Sequence, residues 1–160
     1  MAGRGNTIIV SANPQGKFME GRISGTPKPG TAMQIKTSSG MGDDGRFTYE
    51  AYTPGTDGEQ RETIILLEDW GLGKLMTEAY VDSDRGFLYS PVMGEELNVL
   101  KGDVAGTADD LAFGDMLMRD TGTGKYIKTT GSPESEDFQC LETITDPVAD
   151  VLVHAKYTGS

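Results

Sequence analysis

Gly114–Thr130 reads GDMLMRDTGTGKYIKTT, and the fold turns on how this stretch is read. Two short apolar runs, Met116-Leu117-Met118 and Tyr126-Ile127-Lys128, flank a Thr-Gly-Thr-Gly segment. Glycine adopts the positive φ angles that tight turns need, so the pattern predicts a β-hairpin. Working outward, the same grammar recurs. GFLYS (86–90) and EELNVL (95–100) lie upstream, FQCLETIT (138–145) and VLVHAKY (151–157) downstream. VLVHAKY sets Val151, Val153, Ala155 and Tyr157 against Leu152, His154 and Lys156, a period of two. FTYEAY (47–52) alternates in the same way, and ETIILLE (62–68) is a continuous apolar run suited to a strand buried on both faces. GLGKLMTEAY (71–80) has room for a turn or so of helix, which Gly71 and Gly73 oppose. Short strands at close spacing with glycine-rich turns predict an all-β domain, a small barrel or sandwich with little helix. No exact internal repeat is visible, although GEELNVLKGD and GDMLMRDTGTG echo one another.

The chain divides in character near residue 45. Pro14, Pro27, Pro29 and the Gly40–Gly45 cluster punctuate the first part, between apolar islands at Ile8-Ile9-Val10, Phe18-Met19, Ile23, Met33 and Ile35. Such a segment has too little apolar surface to fold by itself. It is either disordered or laid extended on something else. The regular spacing of the islands favours the second, an extended N-terminal arm over residues 1–45 ahead of a β-domain over residues 46–160.

Length and charge narrow the function. At 160 residues there is room for one domain, and the net charge of −11 sets the chain apart from nucleic-acid and anionic-membrane binders. Cys140 is the single cysteine, which leaves no intramolecular disulfide and no cysteine zinc site. MAGRGNTIIV lacks an apolar run of signal-peptide length, no segment approaches transmembrane length, and Ala2 breaks the myristoylation pattern. Synthesis and assembly in a reducing cytoplasm are expected.

The chemical motifs fail one by one. His154, the sole histidine, sits mid-strand without a nucleophile elbow nearby, so it is expected to be structural. Gly122–Tyr126 resembles a phosphate loop but has Arg119 and Tyr126 where glycine and Ser/Thr are required. VDSDRG (81–86) offers Asp82 and Asp84 as cation ligands, but Gly86 and Met93 stand where further ligands belong. The same segment resembles one motif of the trimeric dUTPases, whose other motifs are missing; a nucleotide hydrolase is the remotest reading. Asp43-Asp44, Glu95-Glu96 and Asp109-Asp110 point apart when consecutive on a strand or turn. Trp70 is either a core plug or a contact anchor. No catalytic residue, cofactor or metal is expected.

Ile64–Gly124 carries a family resemblance in its order of cues. An apolar strand leads to acidic residues and Gly73-Lys74. Ala79-Tyr80 follows, then an aromatic strand ending at Pro91. Gly94-Glu95 precedes a Leu-Asn segment, and Gly114-Asp115 opens the hairpin. This resembles the decoration, or cement, proteins that bind the outside of expanded tailed-bacteriophage capsids. The resemblance implies a β-tulip-like or small-barrel fold, homotrimers at symmetry axes of the shell, the major capsid protein as partner, a place on the virion exterior and an arm that pairs with capsid subunits. Strand addition by the arm would place Ile8, Ile9, Val10, Phe18 and Ile23 in partner pockets, with Trp70 as a further contact. Many copies would reinforce the shell through avidity. A carbohydrate- or receptor-binding domain of a phage particle is the alternative, with Tyr49, Tyr52 and Tyr89 as a candidate platform.

Overall fold

The computed structural model describes residues 7–53, 62–69, 71, 75–102, 110–120, 123–129, 136–145 and 150–159. Among these residues ten strands are named: β1 (Lys17–Ile23), β2 (Ala32–Ile35), β3 (Thr48–Ala51), β4 (Ile64–Leu66), β5 (Arg85–Ser90), β6 (Glu96–Leu100), β7 (Met116–Arg119), β8 (Tyr126–Lys128), β9 (Glu136–Cys140) and β10 (Leu152–Tyr157). The all-β barrel class expected from the sequence is the one observed.

The first five strands close into a barrel in the order β1-β3-β2-β4-β5, sealed by the antiparallel pairing of β5 with β1. The parallel step is β1 beside β3, with Ile23 opposite Tyr49. The last five form a second sheet, β6-β10-β9-β7-β8. A parallel bridge from Lys101 to Tyr126 brings β8 back to the end of β6, so this sheet curls nearly into a second barrel.

The two halves share one topology. Setting β1 to β5 against β6 to β10 in order matches every neighbour relation and its direction. The register agrees as well. Met33 lies opposite Ile64 and Ala51, as Leu117 lies opposite Phe138 and Lys128. Leu66 faces Leu88, which faces Met19; Cys140 faces Ala155, which faces Leu97. Four residues beyond Met19 and Leu97 stand Ile23 and Lys101, the two that make the parallel closures onto Tyr49 and Tyr126. Both of those tyrosines are buried.

Strand alternation explains the cores. Ile23, Met33, Tyr49, Ile64, Leu66 and Leu88 fill the first barrel, with Tyr80 beside them donating its hydroxyl to the Leu67 carbonyl at 2.8 Å. The opposite-facing residues Ala32, Ile65 and Tyr89 join a larger core with Leu97, Val99, Leu117, Tyr126, Phe138, Cys140, Val153 and Ala155. That is why ETIILLE has no polar face: β4 is buried on both sides. The barrel wall is tight where Gly21 and Gly86 lie directly opposite each other. A Cβ at Gly21 would stand 2.4 Å from the Tyr49 ring, and one at Gly86 would stand 2.5 Å from Ile23.

The boundary expected at residue 45 is corrected. β1 and β2 come from the supposed arm but are staves of the first barrel, and Ile8 and Ile23 are fully buried. The apolar islands were too sparse to fold alone, yet each meets apolar residues far along the chain, which reading the segment in isolation misses. The GLGKLMTEAY segment forms no named helix among the described residues.

Polar contacts tie the halves together. Arg119 grips the fully buried Asp137 at 2.7 Å, Thr63 Oγ1 donates to the same carboxylate at 3.3 Å, and the Arg119 guanidinium stacks 4.5 Å from the Tyr52 ring. At the rim, Lys28 and Lys125 both pair with Asp150. The Ala32 amide donates to the Gly124 carbonyl at 2.7 Å, and Leu100 N–H donates to Gly30 O at 2.9 Å. Gly124 sits at φ 65°, in the hairpin turn where a left-handed residue was expected.

Candidate partner-binding surface

The segment of residues 7–11 lies against β6. Asn98 N–H donates to Ile8 O at 2.7 Å, Val10 N–H donates to Glu96 O at 2.9 Å, and Ile9 bridges Leu97 antiparallel. Side chains fix its ends: the Asn98 amide donates to Thr7 O at 2.7 Å, and Glu96 N–H donates to Ser11 Oγ at 2.8 Å. Ile8 N–H donates to the Glu68 carboxylate, 3.0 Å from the nearer oxygen.

Glu95 anchors the turn between the barrels. Its carboxylate accepts from the Tyr89 hydroxyl at 2.8 Å, from Val92 N–H at 2.8 Å, and from the Gln15 and Gly16 amides. Burial by itself would raise the Glu95 pKa, but these donors outweigh it and hold the group below the ordinary carboxylate range. Burial, and then the Glu95 hydrogen bond, push the Tyr89 hydroxyl up to about 12. Gln15 and Gly16 are thereby tied down immediately before β1 begins.

The six candidate contact residues fall into three groups. Ile8 and Ile23 are core residues of this chain, a correction to their expected role as pocket-fillers in a partner. Ile9 and Val10 are half-buried, while Phe18 is 59% exposed with its ring 4.7 Å from that of Tyr89. Ile9 and Phe18 come together across a groove of about 330 Å³ floored by Leu67 and edged by Pro14 and Glu68. Trp70 lies outside the described residues. Sequence reasoning missed Val92 and Met93, exposed in the turn after β5, and Phe113, exposed before β7. The signal was present: apolar residues beside Pro91-x-x-Gly94 and Gly114 sit at turn tips, where a strand's alternation gives them no core to enter.

The other candidates resolve locally. Asp82 Oδ1 accepts from Gly25 N–H at 2.7 Å and Asp84 Oδ2 from Val81 N–H at 3.0 Å, so both carboxylates cap turns. Among the described residues no three His, Cys, Asp or Glu side chains converge on a point that would hold a metal. His154 Nε2 lies 2.8 Å from Glu96 Oε2 on the outer face of the second sheet, and Cys140 is buried, its thiol pKa raised by that burial. Of the tyrosines offered as a sugar platform, Tyr49 and Tyr89 are buried, and Tyr52 lies under Arg119. The arrangement offers surfaces for contact.

No protein-family model matches the chain, and no curated protein matches it by sequence. Among solved structures it is similar to the head fiber gp8.5 N base of bacteriophage phi29, at a TM-score of 0.53 and 12% identity. That likeness covers 90% of this chain and 95% of the other, so the two chains share a fold along most of their length.

Proposed function

We propose that this protein is a structural component of a tailed-phage head, one that binds the outer surface of the expanded capsid and bridges neighbouring capsid subunits. The observation that carries this reading is the fold shared along nearly the whole chain with a phage head-fiber base. The decoration-protein resemblance of Ile64–Gly124 points to the same place by a separate route. A contact role also suits a chain whose polar groups serve its own turns and barrel junction and whose exposed apolar residues cluster at strand ends and turn tips.

In this reading the protein is not an enzyme, takes no cofactor and acts as homotrimers at symmetry axes of the shell. Its mechanism is mass action: a protein that binds the expanded shell and not the ruptured one shifts the equilibrium toward the intact particle. The test is to heat DNA-filled heads with and without saturating protein and follow DNA release by dye fluorescence. Coated heads should release DNA at a higher temperature; equal release temperatures contradict the reading.

The structural neighbour favours a second reading, in which the two barrels anchor a surface fibre and do not cement the shell. Both readings require attachment to the head, and they part on the heating test, where an anchor alone leaves the release temperature unchanged.

A further inference from the structure

The two barrels match strand for strand except beside the first strand of each. In the second barrel the N-terminal half of β6 is flanked on both sides, by β10 and by residues Ile8–Ser11. Two hydrogen bonds seat that extra segment, from Asn98 N–H to Ile8 O and from Val10 N–H to Glu96 O. By register, the equivalents of Asn98 and Glu96 in the first barrel are Glu20 and Phe18.

β1 pairs with β5 from Lys17 to Arg22 but meets β3 only from Arg22 onward. The Arg22 and Ser24 amides donate toward β3, to Phe47 O at 3.0 Å and Tyr49 O at 2.7 Å. Main-chain groups alternate along a strand, so the amide of Glu20 and the carbonyl of Phe18 face that same side. There, among the described residues, no strand stands beside them. Phe18 and Lys17 are exposed at this place.

We propose that the free edge of β1, Lys17–Glu20, takes an extended strand from the partner protein, antiparallel and apolar at alternate positions, as Ile8–Ser11 already lies on β6. The proposal rests on the shell-binding reading and names within it the strand that docks. The chemistry of the occupant follows from its counterpart: TIIVS is uncharged, rich in β-branched residues and ends in hydroxyls. An apolar side chain opposite Phe18 would pack on the ring face that Tyr89 leaves open. The net charge of −11 favours a neutral or basic partner at this edge. Lys17–Glu20 has neither proline nor bulge to block the pairing.

The test uses the full chain and expanded heads without bound copies. Glu20→Pro removes the outward amide and leaves the bonds to β5. Glu20→Ala keeps the amide and removes only the ion pairs with Arg46 and Arg85. Glu20→Ala should bind as the wild type does, and Glu20→Pro about tenfold more weakly, as expected for lost edge hydrogen bonds. Hydrogen exchange on the wild type gives a reading independent of any variant: the Glu20 amide should gain protection on heads. Equal binding by the two variants, or an unprotected Glu20 amide on saturated heads, overturns the edge proposal alone. The same protection on concentrating the protein without heads would make the occupant a second copy and also overturns it. Heads that bind no wild-type protein overturn the shell reading, and the edge proposal with it.

Discussion

Glu95 shows how one side chain can organise a junction. It receives two backbone amides from just before β1, one from the turn after β5, and the Tyr89 hydroxyl. Replacing it by alanine orphans four donors and should cost about 3 kcal/mol, read as a lower denaturation midpoint. Its folded pKa is depressed, so its ionised contacts stabilise fully above the unfolded value of about 4.3 and are lost as pH falls through the folded value. The stability advantage of wild type over Glu95→Gln should therefore shrink on acidification below about pH 5. A gap that holds constant with pH would contradict that role. Asp137 is a second decisive residue, fully buried and held by Arg119 and Thr63. Asp137→Ala strands the guanidinium and should cost about 3–5 kcal/mol in chemical denaturation.

At the scale of elements, the hairpin of β7 and β8 was the most legible part, because Gly124 and the flanking apolar runs state both the turn and the strands. β10 was readable from its period-two alternation, and β4 from an unbroken apolar run that fits a strand buried on both faces. β1 was not. KFMEGRI has glycine where the Tyr49 ring crosses the wall and a single deeply buried aliphatic residue, Ile23, so its strand character comes from β5 and β3. What resembled an arm is held by long-range pairing. Deleting residues 1–24 removes a stave and opens the first barrel, and the product should be unfolded by circular dichroism; a folded truncation would restore the arm. Gly86→Val places a branched side chain on Ile23 and should lower stability by about 2 kcal/mol or more.

The whole molecule is one five-stranded pattern made twice, and almost none of that was legible in the sequence. The equivalent residues are Tyr49 and Tyr126 in one case, but Leu88 and Ala155, Ile23 and Lys101, Arg22 and Leu100 in others. Burial imposes volume and alternation without imposing identity, so two barrels can keep a common register while their side chains diverge. Of the candidate contact residues, Phe18 is exposed and Ile9 half-buried, whereas Ile8 and Ile23 proved to be core. The account stands or falls on attachment to the head, and co-sedimentation of the purified protein with expanded, undecorated heads measures it most directly. The account predicts saturation at a fixed ratio to the major capsid subunit, with hundreds of copies per head. No binding, or only a handful of copies at saturation, would contradict it.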